Sequence, residues 1–242
     1  EADDFFSFIA DVSGANNGER HPLQVMYAVG GERELVEEEL NHLSGYDNAR
    51  PVRIGNGAYN QRQHDIWGTM LDSVYLHAKS REQISDQLWP VLKEQVEEAI
   101  KNWQKPDRGI WEVRGEPQHF TSSKIMCWVA LDRGAKLAEI RGERSNAQKW
   151  RPIAEEIRAD VLKNGVDSRG VLVQRYGSDA LDAALSGLSG DALRASGRSL
   201  LAGTAHALSL VARDLTLRAA PSFGAFHTLR LFLDEVVAER VE

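Results

Sequence analysis

Cysteine is nearly absent from this chain of 242 residues, since Cys127 is the only one. A lone cysteine excludes an intrachain disulfide and a cluster of thiolate metal ligands. Apolar runs are also short, and none approaches the roughly 18 residues that a transmembrane helix needs. We therefore expect a protein that does not cross a membrane, and the cysteine usage fits the reducing cytoplasm.

Positive charge is scarce as well. The chain carries 29 Lys and Arg against 36 Asp and Glu, which gives a formal net charge of −7. The basic residues form no stripe, so we expect neither nucleic acid nor an anionic membrane surface as a partner. The start of the chain lacks a basic stretch followed by an apolar core, so the sequence predicts no secretory leader.

Apolar residues at helical spacing are abundant. Ile66, Trp67, Met70 and Leu71 follow this spacing, and in residues 125–131 apolar residues surround the axis, which indicates a helix buried on all sides. Thr121 or Ser122 is expected to cap that helix, and Pro90 is expected in the first turn of another. The predicted helices are residues 3–12, 32–43, 61–79, 85–103, 121–140 and 145–163, with a further one beginning at Asp179.

Buried helices alternate with polar-faced ones, and long loops rich in Gly, Asn and Pro join several of them. This order predicts an all-α fold of helical hairpins in two layers, forming one domain over residues 1–242. The loops at 53–64, 104–120 and 174–178 are expected to meet at one end and build a site. Beyond about residue 186 the chain becomes rich in Ala, Ser, Gly and Leu, and we expect this end to diverge from the rest.

The loop at 104–120 holds the first candidate site, in which Trp111 precedes Glu112 and Arg114 follows two residues later. A loop glutamate is most often solvated or paired with a nearby arginine such as Arg114. Trp111, however, offers a flat surface that can stack on a sugar ring and desolvate a carboxyl, which favours the protonated form that a general acid needs. Arg114 could donate to sugar hydroxyls.

Two further clusters combine short polar side chains with aromatic rings. This mixture suits sugar hydroxyls and C–H edges, although helix caps and an exposed polar face would use the same residue types. The candidate sugar-binding residues are Asn56, Tyr59, Gln63 and Asp65 in the segment 53–68, and Tyr176 in the segment 174–185. The sequence has no HExxH pair, no GxSxG and no phosphate loop after a strand, so we expect no metal and no cofactor.

Three segments taken together resemble glycoside hydrolase family 15, which contains glucoamylases, glucodextranases and bacterial trehalases. They are "GNGAYNQRQHDIWG" from residue 55, "GIWEVRGEPQHFTSSKIMCWVALDRG" from residue 109 and "YGSDALDAAL" from residue 176. The resemblance implies an (α/α)6 barrel, of which this chain would be a part truncated at its start. It also implies hydrolysis of an α-glucosidic bond with inversion, with Glu112 as the general acid and Trp111 and Arg114 shaping the glucose subsite.

The sequence departs from the family at the second carboxylate, the general base that activates water. The family carries it in a late Glu-Gly-Ala/Thr-Phe segment, and the nearest match here places Phe223 where the glutamate should be. We therefore expect this chain to cleave α-glucosides slowly. Trehalose, maltose and dextrin ends all stay open as substrates. The alternatives are a non-catalytic, sugar-binding helical module and a plain helical scaffold, although no internal repeat supports the scaffold.

Overall fold

The computed structural model describes residues 2–14, 22–81 and 84–185, and these form a helix-rich fold. The expected all-α class is thereby confirmed. The helices are α1 (Ala2–Val12), α2 (Asp65–Arg81), α3 (Leu88–Asn102), α4 (Thr121–Ile140) and α5 (Arg144–Asn164), with short 3₁₀ turns at Tyr46–Asn48 and Ala183–Leu185. Strands β1 (Glu38–Glu39) and β2 (Arg53–Ile54) form a small antiparallel pair.

Helix α4 is the centre of the described fold, because it packs against α2, α3 and α5. The apolar residues of 125–131, which the sequence pattern predicted to be enclosed, are buried except Trp128, which is partly buried. Leu131 and Leu137 are fully enclosed, and Trp150 of α5 and Leu92 of α3 pack into the same core. Lys124 and Arg133 lie among these buried residues, and a charged side chain that is buried needs an internal partner.

Two charged side chains of α4 meet that requirement. Arg133 Nε donates to Asp72 Oδ1 of α2 at 2.7 Å, and its guanidinium lies 4.9 Å from the centre of the Tyr75 ring. Lys124 Nζ donates to the backbone oxygens of Trp103 and Lys105, just beyond the end of α3. An ammonium at the carbonyl end of a helix is favoured by the helix dipole. Burial nevertheless lowers the pKa of Lys124.

The predicted helix at 32–43 is wrong. Glu38 and Glu39 are extended and lie opposite Ile54 and Arg53, respectively, and Arg53 forms an ion pair with Glu39 at 2.9 Å. In a helix, the glutamates of this segment would stand three and four residues apart, where like charges repel. The extended form brings them to arginines instead, and the segment has no buried apolar face that would hold a helix against the core.

The helix predicted from Asp179 is also wrong within the described chain, where only the 3₁₀ turn Ala183–Leu185 follows. Phe120, with no side-chain hydrogen bond, occupies the N-cap of α4 in place of the expected Thr121 or Ser122. The backbone N–H of Thr121 instead donates to Gln174 O at 3.0 Å. A tertiary hydrogen bond thus satisfies one of the backbone N–H groups at the start of α4. Pro90 does lie in the first turn of α3.

No helix within residues 2–14, 22–81 and 84–185 combines the length and the apolar character that crossing a membrane requires. The divergent end expected beyond about residue 186 lies outside the described residues.

The close approach of α2 to α4 at Gly68 gives the first prediction. A Cβ added at Gly68 would lie 2.2 Å from the backbone oxygen of Met126, which cannot move without shifting α4. We expect Gly68→Ala to lower the free energy of unfolding by about 1–3 kcal/mol, measured by urea denaturation. Gly115→Ala is the control, because its nearest neighbour would be Val113 Cγ1 at 3.7 Å. Equal stability of the two variants would contradict the observed packing.

The buried pair of Asp72 and Arg133 gives the second prediction. Their side chains are 0% and 1% exposed, so Arg133→Met removes the guanidinium that a buried carboxylate meets at 2.7 Å. The variant should lose about 3–5 kcal/mol of unfolding free energy, and adding Asp72→Leu should restore most of it. Arg151→Met removes a half-exposed ion pair with Glu139 and should cost less than about 1 kcal/mol. If the double variant is no more stable than Arg133→Met, the pair is not the cause.

Candidate active site

The loop between α3 and α4 is closed on itself at Asp107. The backbones of Asp107 and Gln118 exchange two hydrogen bonds, at 2.9 and 2.8 Å. Asp107 Oδ2 also accepts from the backbone N–H of His64 and from the hydroxyl of Ser123, both at 2.8 Å. One buried carboxylate therefore holds the start of α2, the start of α4 and the base of the loop together.

Glu112 lies in a tight turn within this closed loop. Its N–H donates to Gly109 O at 3.2 Å, and its φ of 52° places it in the left-handed region. A non-glycine residue in this region costs on the order of 1–3 kcal/mol, and such strain persists only where the surroundings fix it. Gly109, at φ 68°, allows the turn, since a Cβ there would meet the Phe120 ring at 2.8 Å.

The loop at 53–64 supplies the neighbours of Glu112. Asn56 Nδ2 donates to Glu112 Oε2 at 3.2 Å, and Gln61 Nε2 donates to the backbone oxygens of Glu112 and Val113 at 3.4 and 3.5 Å. Asn56 is itself fixed, because its Oδ1 accepts from Ala58 N at 2.9 Å. The carboxyl is thus half-buried, held by one oxygen to an amide of another loop, and Oε1 has no partner within the described residues.

The sequence suggested that Arg114 pairs with Glu112, but the structure gives Arg114 another partner. It pairs with Glu37, whose Oε2 lies 3.2 Å from Arg114 Nη2 and also accepts from Gly57 N at 3.1 Å. The Gly57 N–H, followed by Arg114, lowers the pKa of Glu37. The sequence did not indicate Glu37, because its segment was predicted to be an exposed helix.

Trp111 is 48% exposed, and its Nε1 donates to Asp182 Oδ1 at 2.8 Å. Asp182 was part of the cluster at 174–185 but carried no predicted role. Trp111 and Asp182 are 71 residues apart in the chain, so no local sequence pattern could have predicted their contact.

Tyr176 reaches the same region through the backbone, since its N–H donates to His119 O at 3.0 Å. Its hydroxyl donates to Asp160 Oδ2 of α5 at 2.8 Å, and its ring stacks on that of His119. Burial, and then the hydrogen bond to Asp160, raise the pKa of Tyr176. The hydroxyl proton is therefore used in the hydrogen bond to Asp160 of α5.

The remaining predicted residues lie around the 53–64 loop and the start of α2. Tyr59 is half-buried, and its carbonyl accepts from Gln24 at 3.3 Å. Gln63 is buried and donates to Gln61 at 3.3 Å. Asp65, the first residue of α2, is 9% exposed, and burial together with the nearby Asp107 carboxylate raises its pKa to about 6.

His64 is enclosed beside these residues and stacks on Trp67. Burial, assisted by Lys124, lowers the pKa of His64 to about 3. The imidazole is therefore neutral at ordinary pH and adds no charge to the buried residues around it.

The arrangement brings together a carboxyl held by an amide, a half-exposed aromatic ring and several amide donors. A carboxylic acid in such a setting can protonate a leaving oxygen, and an indole face can contact the C–H edges of a sugar. In the described segments, no group of three or more His, Cys, Asp or Glu side chains is placed to hold a metal ion. Phe223, at the position expected for the second carboxylate, lies outside the described residues.

The family model for glycosyl hydrolases family 15 matches residues 1–208. The chain is 87% identical over 185 residues to a protein named trehalase from Mycolicibacterium smegmatis, covering 76% of this chain and 28% of that protein. It is 81% identical to the trehalase of Mycobacterium tuberculosis over 185 residues, which is 76% of this chain and 27% of that one.

A more distant relative, trehalase 2 of Sulfolobus acidocaldarius, is 39% identical over 186 residues, which is 75% of this chain and 31% of that protein. The chain thus spans less than a third of the length of these relatives. No solved structure matches it. Because the family model covers most of its residues, the chain belongs to glycosyl hydrolases family 15.

Proposed function

We propose that the described residues form part of the active site of an α-glucoside hydrolase that acts on trehalose with inversion of configuration. The observation that carries the proposal is the placement of Glu112, in a strained turn, with its carboxyl held by Asn56 and beside the half-exposed Trp111. The similarity to proteins named trehalase favours trehalose over maltose and dextrin ends.

In the proposed reaction Glu112 is the general acid. The amide of Asn56 donates to Oε2, so the proton is held on Oε1 and passes from there to the glycosidic oxygen as the bond to the anomeric carbon breaks. Water attacks from the opposite face, and a second carboxylate takes its proton. In inverting enzymes the two carboxyls stand about 6.5–9.5 Å apart, which leaves room for that water.

We assign the sugar contacts to Trp111, Arg114 and Asn56, which are exposed or half-buried and lie in the loop of Glu112 or directly against its carboxyl. Trp111 would supply the stacking face, and Arg114 would donate to a hydroxyl while Glu37 orients it. Tyr59, Gln63, Asp65 and Tyr176 were also predicted to bind the sugar. Gln63 and Asp65 are buried, and the Tyr176 hydroxyl is bonded to Asp160, so these three are better suited to holding the loops around the sugar. Tyr59 is half-buried and stays a candidate for sugar contact.

The substrate would be a small α-glucoside, with no cofactor. The acidic net charge of −7 disfavours nucleic acid as a partner, and the single buried Cys127 is consistent with a cytoplasmic protein. The alternative is a sugar-binding module without turnover, and Phe223 at the expected base position favours it.

The role of Glu112 can be tested without relying on the base. Azide attacks the anomeric carbon without losing a proton, so it replaces the activated water and yields β-glucosyl azide from trehalose. We expect Glu112→Gln to reduce this azide-dependent cleavage at least about a hundredfold, because the leaving oxygen is no longer protonated. Product formation is followed by NMR, together with the trehalose dissociation constant, which should change little.

Two comparisons make this test specific. Glu116→Gln removes the same charge from an exposed position of the same loop and should leave cleavage unchanged. With 4-nitrophenyl α-glucoside, whose leaving group needs little protonation, the Glu112→Gln variant should lose much less activity. If Glu112→Gln kept more than about a tenth of the cleavage of trehalose, Glu112 would not be the acid.

Without azide, the chain should release glucose from trehalose and maltose slowly or not at all. A phenyl ring at position 223 cannot take a proton from water, and losing the general base typically costs about 10²–10⁴-fold. Glucose release and its anomeric form are measured with each purified disaccharide. Rapid release of β-glucose, abolished by Glu112→Gln, would mean that a competent base is present elsewhere in the chain.

A further inference from the structure

The indole of Trp111 is tethered to a distant part of the chain. Its Nε1 donates to Asp182 Oδ1 at 2.8 Å, across 71 residues of sequence. The two ends of this bond differ in environment, since the Trp111 side is 48% exposed whereas Asp182 is 5% exposed. The indole is therefore half-exposed, while its polar atom is bonded to a buried carboxylate.

The anchor is fixed independently of the ring. Asp182 Oδ1 also accepts from Ala184 N at 2.9 Å, which holds the carboxylate within its own turn. The segment leading to Asp182 is pinned where Gln174 N donates to Ala180 O at 2.8 Å and Thr121 N donates to Gln174 O at 3.0 Å. The carboxylate is thus held by a bond of its own besides the one to the indole.

Asp182 is a costly choice if its only role is to hold the fold. Its Oδ2 is buried and has no hydrogen-bond partner within the described residues. A buried acceptor left without a partner is destabilising, and a carboxylate more so than a neutral group. This carboxylate is nevertheless the group that accepts from the half-exposed indole, which indicates that it positions the ring.

Fixing the ring matters because of its neighbour. Trp111 directly precedes Glu112, whose turn is closed by the bond from Glu112 N to Gly109 O at 3.2 Å. A free indole would have to be ordered each time a sugar stacked on it, and ordering one such side chain weakens binding about three- to tenfold. A tethered indole presents its face in advance.

We propose that Asp182 is a positioning residue that fixes the Trp111 indole as the sugar-stacking surface beside Glu112. This inference rests on the proposed function, since it concerns how the same site binds an α-glucoside. Asp182 does not touch the sugar and acts through Trp111 alone.

The tether is tested first by the ¹H–¹⁵N spectrum of the tryptophan side chains. The chain has six tryptophans, and Trp111→Phe assigns the Trp111 indole resonance. Asp182→Ala should move this resonance and broaden it, because the acceptor is lost. Asp182→Asn keeps an oxygen at Oδ1 and should leave it nearly in place. Ser178→Ala, which removes only the local bond from Ala180 N, is the matched control.

Trehalose binding is then measured by titration of the same samples. Asp182→Ala should weaken the dissociation constant about three- to tenfold, with Asp182→Asn and Ser178→Ala close to the parent chain. Trp111→Phe removes the donor, so it should weaken binding on its own. Adding Asp182→Ala to it should then change nothing further, because both variants break the same bond.

The outcomes separate the two proposals. If trehalose binds but Asp182→Ala moves neither the Trp111 resonance nor the dissociation constant, the positioning role is refuted and the proposed function stands. If trehalose perturbs no resonance of the parent chain, the proposed function fails, and the stacking surface fails with it. If Asp182→Ala unfolds, Asp182→Asn and Trp111→Phe replace it in the test. Asp182→Asn must then bind trehalose like the parent chain, and Trp111→Phe must bind it more weakly. Any other pattern refutes the positioning role.

Discussion

The carboxylate of Asp107 is the contact on which the geometry of the site depends. It accepts from the backbone at the start of α2 and from a side chain in the first turn of α4, while its own backbone closes the loop that carries Glu112. Burial raises the pKa of Asp107, and the hydrogen bonds from His64 N and Ser123 oppose that shift. Two helix starts and one loop thus share a single acceptor, and none of the three can move without disturbing the others.

Helix α4 transmits this constraint to the rest of the fold. Its two buried charged side chains are fixed by what they meet: Arg133 by Asp72 of α2, and Lys124 by the carbonyls that follow α3. Lys124 therefore holds the beginning of the loop, and Ser123, one residue earlier, holds its base through Asp107. A loop fixed at both ends by a buried helix can keep a strained residue such as Glu112 in place.

The two neighbouring side chains at the tip of that loop are held from different parts of the chain. Glu112 is held by Asn56, which precedes α2, and Trp111 by Asp182, which follows α5. A general acid must keep its proton within hydrogen-bond reach of the departing oxygen, and the sugar must lie in register with it. Anchoring the acid and the aromatic surface separately gives the turn little freedom to rotate.

The sequence by itself determined the features that depend on residues close together in the chain. The periodicity of apolar residues predicted helices α2 to α5 and the burial of most of α4, and three segments taken together, one of them around Glu112, identified the family. The helix predicted at 32–43 was wrong, because pairing of Glu39 with Arg53 outweighed the helical preference of glutamate. The sequence also failed at the start of α4, where Thr121 N found Gln174 O in place of a local cap.

Only the tertiary structure decided the partners of the site residues. Arg114 is two residues from Glu112, yet it pairs with Glu37, and Glu112 takes an amide 56 residues away in the sequence. The reason is physical for the Glu112 carboxyl: local preferences are worth tenths of a kcal/mol to about one, whereas a half-buried polar group left without a partner costs about 1–3 kcal/mol. The chain therefore satisfies these groups wherever folding brings a donor, and the distance between two residues in sequence does not encode that choice.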